Sequence, residues 1–407
     1  MTAPIQGLSF RGISLENVAK DQDTSRMLEI VEACSQCRCG CCKDQCPMYS
    51  DILEESMSPK GRNALIRAVM KGEVEPDERT VRIAYSCLLC RRDETSCTAG
   101  LRNAEAAEIF RRHLVDKGAK LLPEHAVLIK SLENYRNPWQ EPKSARKRWA
   151  RGLQEKKVAH GSTDILFFVG CTYALDHTLQ ESPKALASLM DKAHVNYSLL
   201  TEDEVCCGSI AKRIGDSKVF ESIKKENEQR IRSAGVQTIV TACAGCYKTL
   251  RQDYQELSED VSIMHSTQFI ADLASTERLE FSRAGIKVTY HDPCHLGRHS
   301  EIYEAPRTAL ELVPGLQLVE MKNSKQLARC CGGGAGVKTA YPEIAQRVAL
   351  SRVQEAEETG AEVLVTACPF CVQTLRTAAF ESHSKMVVEE FTVLMDRLAL
   401  GRKGGKV

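Results

Sequence analysis

Two stretches decide the fold: Val240-Thr241-Ala242-Cys243-Ala244-Gly245-Cys246-Tyr247-Lys248-Thr249-Leu250 and Val365-Thr366-Ala367-Cys368-Pro369-Phe370-Cys371-Val372-Gln373-Thr374-Leu375. They lie 125 residues apart and agree at seven of eleven positions. Cys206-Cys207-Gly208 recurs as Cys330-Cys331-Gly332 at an offset of 124, and Cys171 as Cys294 at 123. The second half of the chain is therefore one unit of about 125 residues written twice in tandem.

Working outward, short β-type runs alternate with amphipathic stretches: DILFFVG, VNYSLL, QTIVTA, IKVTYH and EVLVTA are strand candidates. Such alternation predicts parallel sheets covered by helices. The helix from 342 to 359 presents Ile344, Ala345, Val348, Ala349, Val353 and Ala356 on one side and stops before Gly360. In each unit the thiols follow a strand candidate, and the final Cys-x2-Cys precedes a helix. That position gathers them at one sheet edge, where helix N-termini favour thiolate. Buried core cysteines are the bland alternative, and zinc is the chemical rival, but zinc takes four ligands and each unit offers five thiols.

The first half reads as helical. Ser58 and Pro59 start a helix with a stripe of Ala64, Leu65, Ala68 and Val69, ended by Gly72; a second runs from 104 to 117 with Ile109, Phe110 and Leu114, before Gly118. These helices hold two cysteine-rich loops. Between the halves, NYRNPWQEPKSARKRWARGLQEKK (134–157) carries two prolines and a basic run. It reads as a connector with a solvated basic face, the alternative being a dock for an acidic redox partner. The expected division is 1–133, a connector 134–160, and two modules, 161–283 and 284–407.

Composition excludes several classes. The 55 Lys+Arg balance 54 Asp+Glu, so no basic field exists for nucleic acid. Nineteen cysteines, an odd number, disfavour a disulfide-paired secreted protein. MTAPIQGLSFRGISLENVAKDQD shows no leader pattern, so a reducing cytoplasm is expected. The longest apolar run, Ile165 to Leu175, is far short of the roughly 20 residues that span a bilayer. Neither a GxGxxG nucleotide loop nor a hydrolase nucleophile elbow is found, so no flavin or NAD site is expected in the chain.

The spacing Cys-x(34 or 35)-Cys-Cys-Gly-x(34 or 35)-Cys-x2-Cys is the signature of the CCG cysteine-rich domain. The tandem pair, with HDPCHLGR (291–298) and CCGGGAG (330–336), resembles the catalytic unit of heterodisulfide reductases. The resemblance implies a non-cubane 4Fe-4S cluster on Cys171, Cys206, Cys207, Cys243 and Cys246. A second would sit on Cys294, Cys330, Cys331, Cys368 and Cys371, with zinc as the alternative in the first module. Gly332, Gly333 and Gly334 would let backbone N–H groups approach an anionic cluster, a flexible loop being the other reading.

CSQCRCGCCKDQCP resembles the first motif of a two-cluster ferredoxin. It ends correctly at Cys42-x3-Cys46-Pro47 but has two extra residues in front, so Cys34, Cys37, Cys39 and Cys41 compete for two ligand positions. Cys34 and Cys37 keep the x2 pair and are favoured, with Cys39 next. In CLLCRRDETSCTAG, Asp93 stands where a third cysteine belongs. By the exchange of fourth ligands, one cluster would use Cys34, Cys37, Cys42 and Cys97. The other would use Cys87, Cys90, Cys46 and Asp93, or be a 3Fe-4S cluster with Asp93 a solvated acid.

Together these parts resemble the D-type subunit of heterodisulfide reductase. The resemblance implies electron passage from two ferredoxin-type 4Fe-4S clusters to one or two non-cubane clusters, where a small disulfide is cleaved to thiols. The alternative is an electron-relay subunit of the glycolate or lactate oxidase or benzoyl-CoA reductase type, and a zinc-stapled scaffold is a third class. His291, His295 and His299 are candidate proton donors, and Lys338 a candidate anion partner. The expected assembly is a hetero-oligomer with a flavoprotein, ferredoxin or membrane cytochrome, any membrane association coming through that partner.

Overall fold

The computed structural model describes residues 22–151 and 163–400. Most of the stretch read for a leader (1–21), connector residues 152–160 and the last seven residues lie outside them.

The N-terminal part is helical. Gln22–Gln36, Pro59–Met70 and Asn103–Asp116 pack together around Met27, Ile30, Val31, Ile66, Val69, Phe110 and Leu114. The start of Pro59–Met70 is set locally, since Ser58 Oγ accepts from Gly61 N at 2.9 Å and proline occupies the first turn. Such a cap contributes about 1 kcal/mol. The expected stripe on this helix is corrected: Ala64 is exposed and Leu65 and Ala68 half-buried, while Arg62, Asn63, Ile66 and Val69 face inward. Two polar residues win the inner face because they have buried partners, described below. The helix Asn103–Asp116 buries Ile109, Phe110 and Leu114 as expected, and Gly118 follows at φ +78°.

The described residues then form the strands β1 (Ile165–Phe167), β2 (Tyr197–Ser198), β3 (Thr238–Thr241), β4 (Ser262–His265), β5 (Glu280–Phe281), β6 (Lys287–His291), β7 (Gln317–Leu318), β8 (Val363–Thr366), β9 (Val387–Glu390) and β10 (Ala399–Leu400). Two four-stranded sheets have the same order, β2-β1-β3-β4 and β7-β6-β8-β9, and every pair within them is parallel. This repetition is what the sequence repeat predicts. The central strands β3 (Thr-Ile-Val-Thr) and β8 (Val-Leu-Val-Thr) are buried except for Thr238, as parallel strands covered on both faces must be. In both sheets the order reverses between the first and third strands, β1/β3 and β6/β8. A crevice opens beyond the carboxyl ends of strands at such a switch point.

The two halves share one continuous apolar core, and they exchange their last helices. Ser266–Ser275 follows β4 yet packs on Glu304–Glu311 of the second half; Phe391–Leu398 follows β9 yet packs on Glu181–Lys192 of the first. Thr392 Oγ1 donates to the Ser182 carbonyl at 3.0 Å, and Lys192 Nζ to Asp396 Oδ1 at 2.8 Å. β10 then pairs antiparallel with β5. The basic stretch between the halves is only partly a solvated face. Lys147 and Arg148 are exposed, but Arg146 is buried against Glu204 (2.8 Å) and Trp149 enters the core.

Candidate functional site

The switch points place the thiols. Cys171 follows β1, Cys243 follows β3, Cys294 follows β6 and Cys368 follows β8, and the two edges face each other across one cavity of about 340 Å³. Nine of the ten module cysteines line it, while Cys330 stands behind the wall. Cys171 Sγ is 3.7 Å from Cys206 Sγ, and Cys371 Sγ is 3.2 Å from Cys331 Sγ. Cys243 and Cys368 interact directly, so the modules meet thiol to thiol. All nineteen cysteines are free.

Backbone donors point at these sulfurs: Cys246 N to Cys243 (3.4 Å), Gly208 N to Cys206 (3.4 Å) and Gly333 N to Cys331 (3.5 Å). N–H groups aimed at sulfur stabilise thiolate over thiol. The Cys207 thiol is pushed down to about 6, chiefly by the hydrogen bond from Cys206, while Cys171 is pushed up by its contact with Cys206 and by burial. Gly170, at φ +81°, is needed where the chain passes Cys246, whose Sγ would be 3.1 Å from a Cβ there. Gly333 and Gly334 line the cavity, whereas Gly332 lies behind it at φ +82°, where a Cβ would run into the Ala345 carbonyl.

The remaining wall is mostly apolar, with Leu128, Trp139, Ile210 and Phe370. Lys338 also lines it, its Nζ donating to Gln373 Oε1 at 2.9 Å and its pKa lowered by burial. His295 lines the cavity as well. Burial and the nearby Arg213 and Lys248 push it down to about 3, so it offers a neutral ring and not an imidazolium. His299 is turned away, its Nε2 lying 2.8 Å from the Leu89 carbonyl, and His291 is buried behind Cys331.

The helical part brings its thiols into two adjoining groups. Burial pushes the Cys42 thiol up to about 12, helped by Asp93, Cys34, Cys97 and Cys39 around it. Cys37 neighbours Cys34, and Cys39 Sγ lies 3.3 Å from Cys37 Sγ. Cys39 and Cys41 are exposed. The second group is Cys46, Cys87 and Cys90 with Asp93 among them. Asp93 is buried, not solvated; Asn103 Nδ2 donates to its Oδ2 at 2.8 Å, and Asn63 in turn holds Asn103 at 2.7 Å.

Sequence reasoning missed the buried cation here. Arg62 Nη2 donates to Cys46 Sγ at 3.5 Å and Nη1 to the Met57 carbonyl and Ser86 Oγ, beside Cys87 and Asp93. A buried anionic group requires such a partner. Arg62 was legible only as a polar residue on a helix. Also unseen was the bridge between the parts: Cys90 meets Cys330, and this contact pulls the Cys90 thiol down to about 7.

Comparison with known proteins matches this site. The cysteine-rich domain family CCG covers residues 165–251 and 288–376, one match on each half of the cavity. The D subunit of the dihydromethanophenazine:CoB–CoM heterodisulfide reductase from Methanosarcina barkeri is 32% identical over 397 residues, 91% of this chain and 95% of that protein. The chain belongs to the heterodisulfide reductase D-subunit family. It is thus an oxidoreductase-type subunit with iron-sulfur-binding cysteine-rich domains. An EtfAB:quinone oxidoreductase from Syntrophomonas wolfei is 24% identical, covering 90% of this chain and 58% of that protein. A hypothetical protein from Helicobacter pylori shares the fold, with a TM-score of 0.58 at 8% identity over 96% of this chain and 74% of that one. Among the described residues of this heterodisulfide reductase relative, no helix is long and apolar enough to cross a membrane.

Proposed function

We propose that the chain passes electrons from ferredoxin-type clusters to centres held by the two CCG modules, and that a small thiol/disulfide pair is interconverted in the cavity between them. The observation that carries this reading is the single 340 Å³ cavity lined by nine thiols from both modules. We assign one ferredoxin-type site to Cys34, Cys37, Cys42 and Cys97, and the other to Cys46, Cys87, Cys90 and Asp93. We assign the module sites to the two sets of five cysteines. Free thiols, N–H donors aimed at sulfur and the buried Arg62 fit such anionic groups. When bound, the clusters supply one-electron steps, two of which cleave one disulfide.

The chain's own residues prepare that chemistry. The apolar wall excludes water from the sulfurs, and Lys338, positioned by Gln373, offers an ammonium to an anionic group on a bound thiol. The Cys90 to Cys330 contact supports electron entry through the second module. We read the chain as a ferredoxin-like part (1–133), a connector (134–160) and two modules (161–283, 284–407), with an electron-donating flavoprotein, ferredoxin or membrane cytochrome as partner in the cytoplasm. The alternative, a relay without its own substrate, is favoured by Asp93 in place of a cysteine and by the likeness to the quinone oxidoreductase.

Iron, zinc and acid-labile sulfide on anaerobically purified protein test the reading. Four full clusters amount to about 16 irons per chain, or about 15 with a 3Fe-4S cluster at Asp93. About 12 irons with one zinc would leave a single active module and favour the relay; about 8 would overturn the mechanism. A turnover enzyme changes its EPR signal on addition of its disulfide, whereas a relay responds only to its partner's reductant.

A further inference from the structure

Among the described residues, three buried side chains with ligating atoms meet within 4.8 Å of one another: His291, Cys331 and Cys371. His291 ends β6 and is 1% exposed. Its Nδ1 faces Arg352 Nε at 3.1 Å, and its Nε2 is buried without a hydrogen-bond partner. Arg352, itself fully buried, is fixed by Glu355 Oε2 (2.8 Å) and the Asn323 carbonyl (2.8 Å).

These contacts decide where the ring proton sits. A guanidinium only donates, so Nδ1 must present its lone pair to Arg352. A ring that accepts at Nδ1 carries its one hydrogen on Nε2. That nitrogen has no lone pair left for a metal. It is an unpaired buried N–H beside the thiols of Cys331 and Cys371.

Among the described residues, the first module has no histidine at the matching position. Aligning Cys171 with Cys294 puts Phe168, a buried hydrocarbon, at the position of His291. Hydrogen bonds to cluster sulfurs raise reduction potential. We propose that His291 is a positioning residue whose Nε2–H, locked by Arg352, donates to the Cys331 and Cys371 sulfurs and makes the second-module centre the more easily reduced of the two. This rests on the reading that those thiolates hold an iron-sulfur centre. An independent contact agrees with it, since the helical part touches the second module, through Cys90 and Cys330. One electron leaves a reduced ferredoxin-type donor and one arrives at the second module, with no bond made or broken.

The test is an EPR-monitored potentiometric titration of the full chain, anaerobic and with iron counted first, for wild type, His291→Phe and His291→Gln. Loss of the donor should disfavour reduction of one module centre about tenfold, about 59 mV for a one-electron couple. The other centre should stay unchanged, and His291→Gln, which keeps an N–H, should recover most of the shift. Unchanged midpoints in His291→Phe with iron retained, or equal shifts in both centres, would overturn the inference. If His291→Phe does not fold, the wild-type protein decides: a hyperfine-coupled proton that exchanges in heavy water supports the donor, and its absence or a directly bound nitrogen overturns it. Wild type lacking iron in the second module would instead sink the underlying reading.

Discussion

Arg298 Nε donates to the Cys90 carbonyl at 2.6 Å, so the HDPCHLGR segment of the second module holds the backbone of a ferredoxin-type thiol. Its Nη1 donates at 2.6 Å to the carbonyl of Ala328, two residues before Cys330. One buried guanidinium thereby fixes both partners of the Cys90 to Cys330 contact. Arg298→Met leaves two buried carbonyls without these donors and should lower stability by about 2–4 kcal/mol. Arg298→Lys should recover less than half, because a lysine lacks the planar fork. Thermal midpoints of the anaerobic proteins check both.

Asp93 is buried and held by Asn103, among Cys46, Cys87 and Cys90. If its oxygen completes that set, the iron beside it is the exchangeable one. Asp93→Cys should then lose iron to a chelator at least about tenfold more slowly, the scale on which ligand-shell changes act. Equal loss rates in the two proteins would show that Asp93 does not face the cluster.

Glu390, at the end of β9, accepts from Tyr173 Oη at 3.2 Å and from Thr392 N at 2.7 Å. Burial raises its pKa from 4.5 to about 7. The unfolded chain therefore ionises first as pH rises, and the folded state binds the extra proton between the two values. Stability is fully retained below about 4.5 and falls toward pH 7, by about 3 kcal/mol for this group. Glu390→Gln should flatten that part of the pH profile in chemical unfolding between pH 5 and 7; an unaltered slope would show another group is responsible.

Gly332 combines φ +82° with a Cβ position blocked by the Ala345 carbonyl. Gly332→Ala should cost about 2–4 kcal/mol. Gly285→Ala, where nothing lies within 4 Å and φ is not positive, should change stability by less than about 1 kcal/mol. Comparing the two unfolding midpoints separates local strain from a general effect of losing glycine.

The thiol sets and the sheets were legible because repetition and apolar runs are local properties of the chain. Val363–Thr366 reads as a buried strand wherever it sits, and Cys-Cys-Gly recurs at a fixed offset. The edge strands β4 and β9 were not legible, although β2 was within VNYSLL: Ser-Ile-Met-His at β4 and Val-Val-Glu-Glu at β9 lack a continuous apolar run and become strands only beside β3 and β8. The inward face of Pro59–Met70 was misread because Arg62 and Asn63 are polar, and their burial is decided by Cys46 and Asn103, 16 and 40 residues away. The same holds for Arg352 behind His291. Long-range charge pairing leaves no periodic trace in a sequence.

The exchanged helices Ser266–Ser275 and Phe391–Leu398 have a consequence for ancestry and for handling the protein. Each half lends the other the same piece, which is the arrangement of a domain-swapped twofold homodimer whose protomers have been joined end to end. Cutting the chain between β5 and β6 would therefore yield two fragments that must find each other to fold, and a working half would have to be made as a circularly permuted or self-dimerising unit.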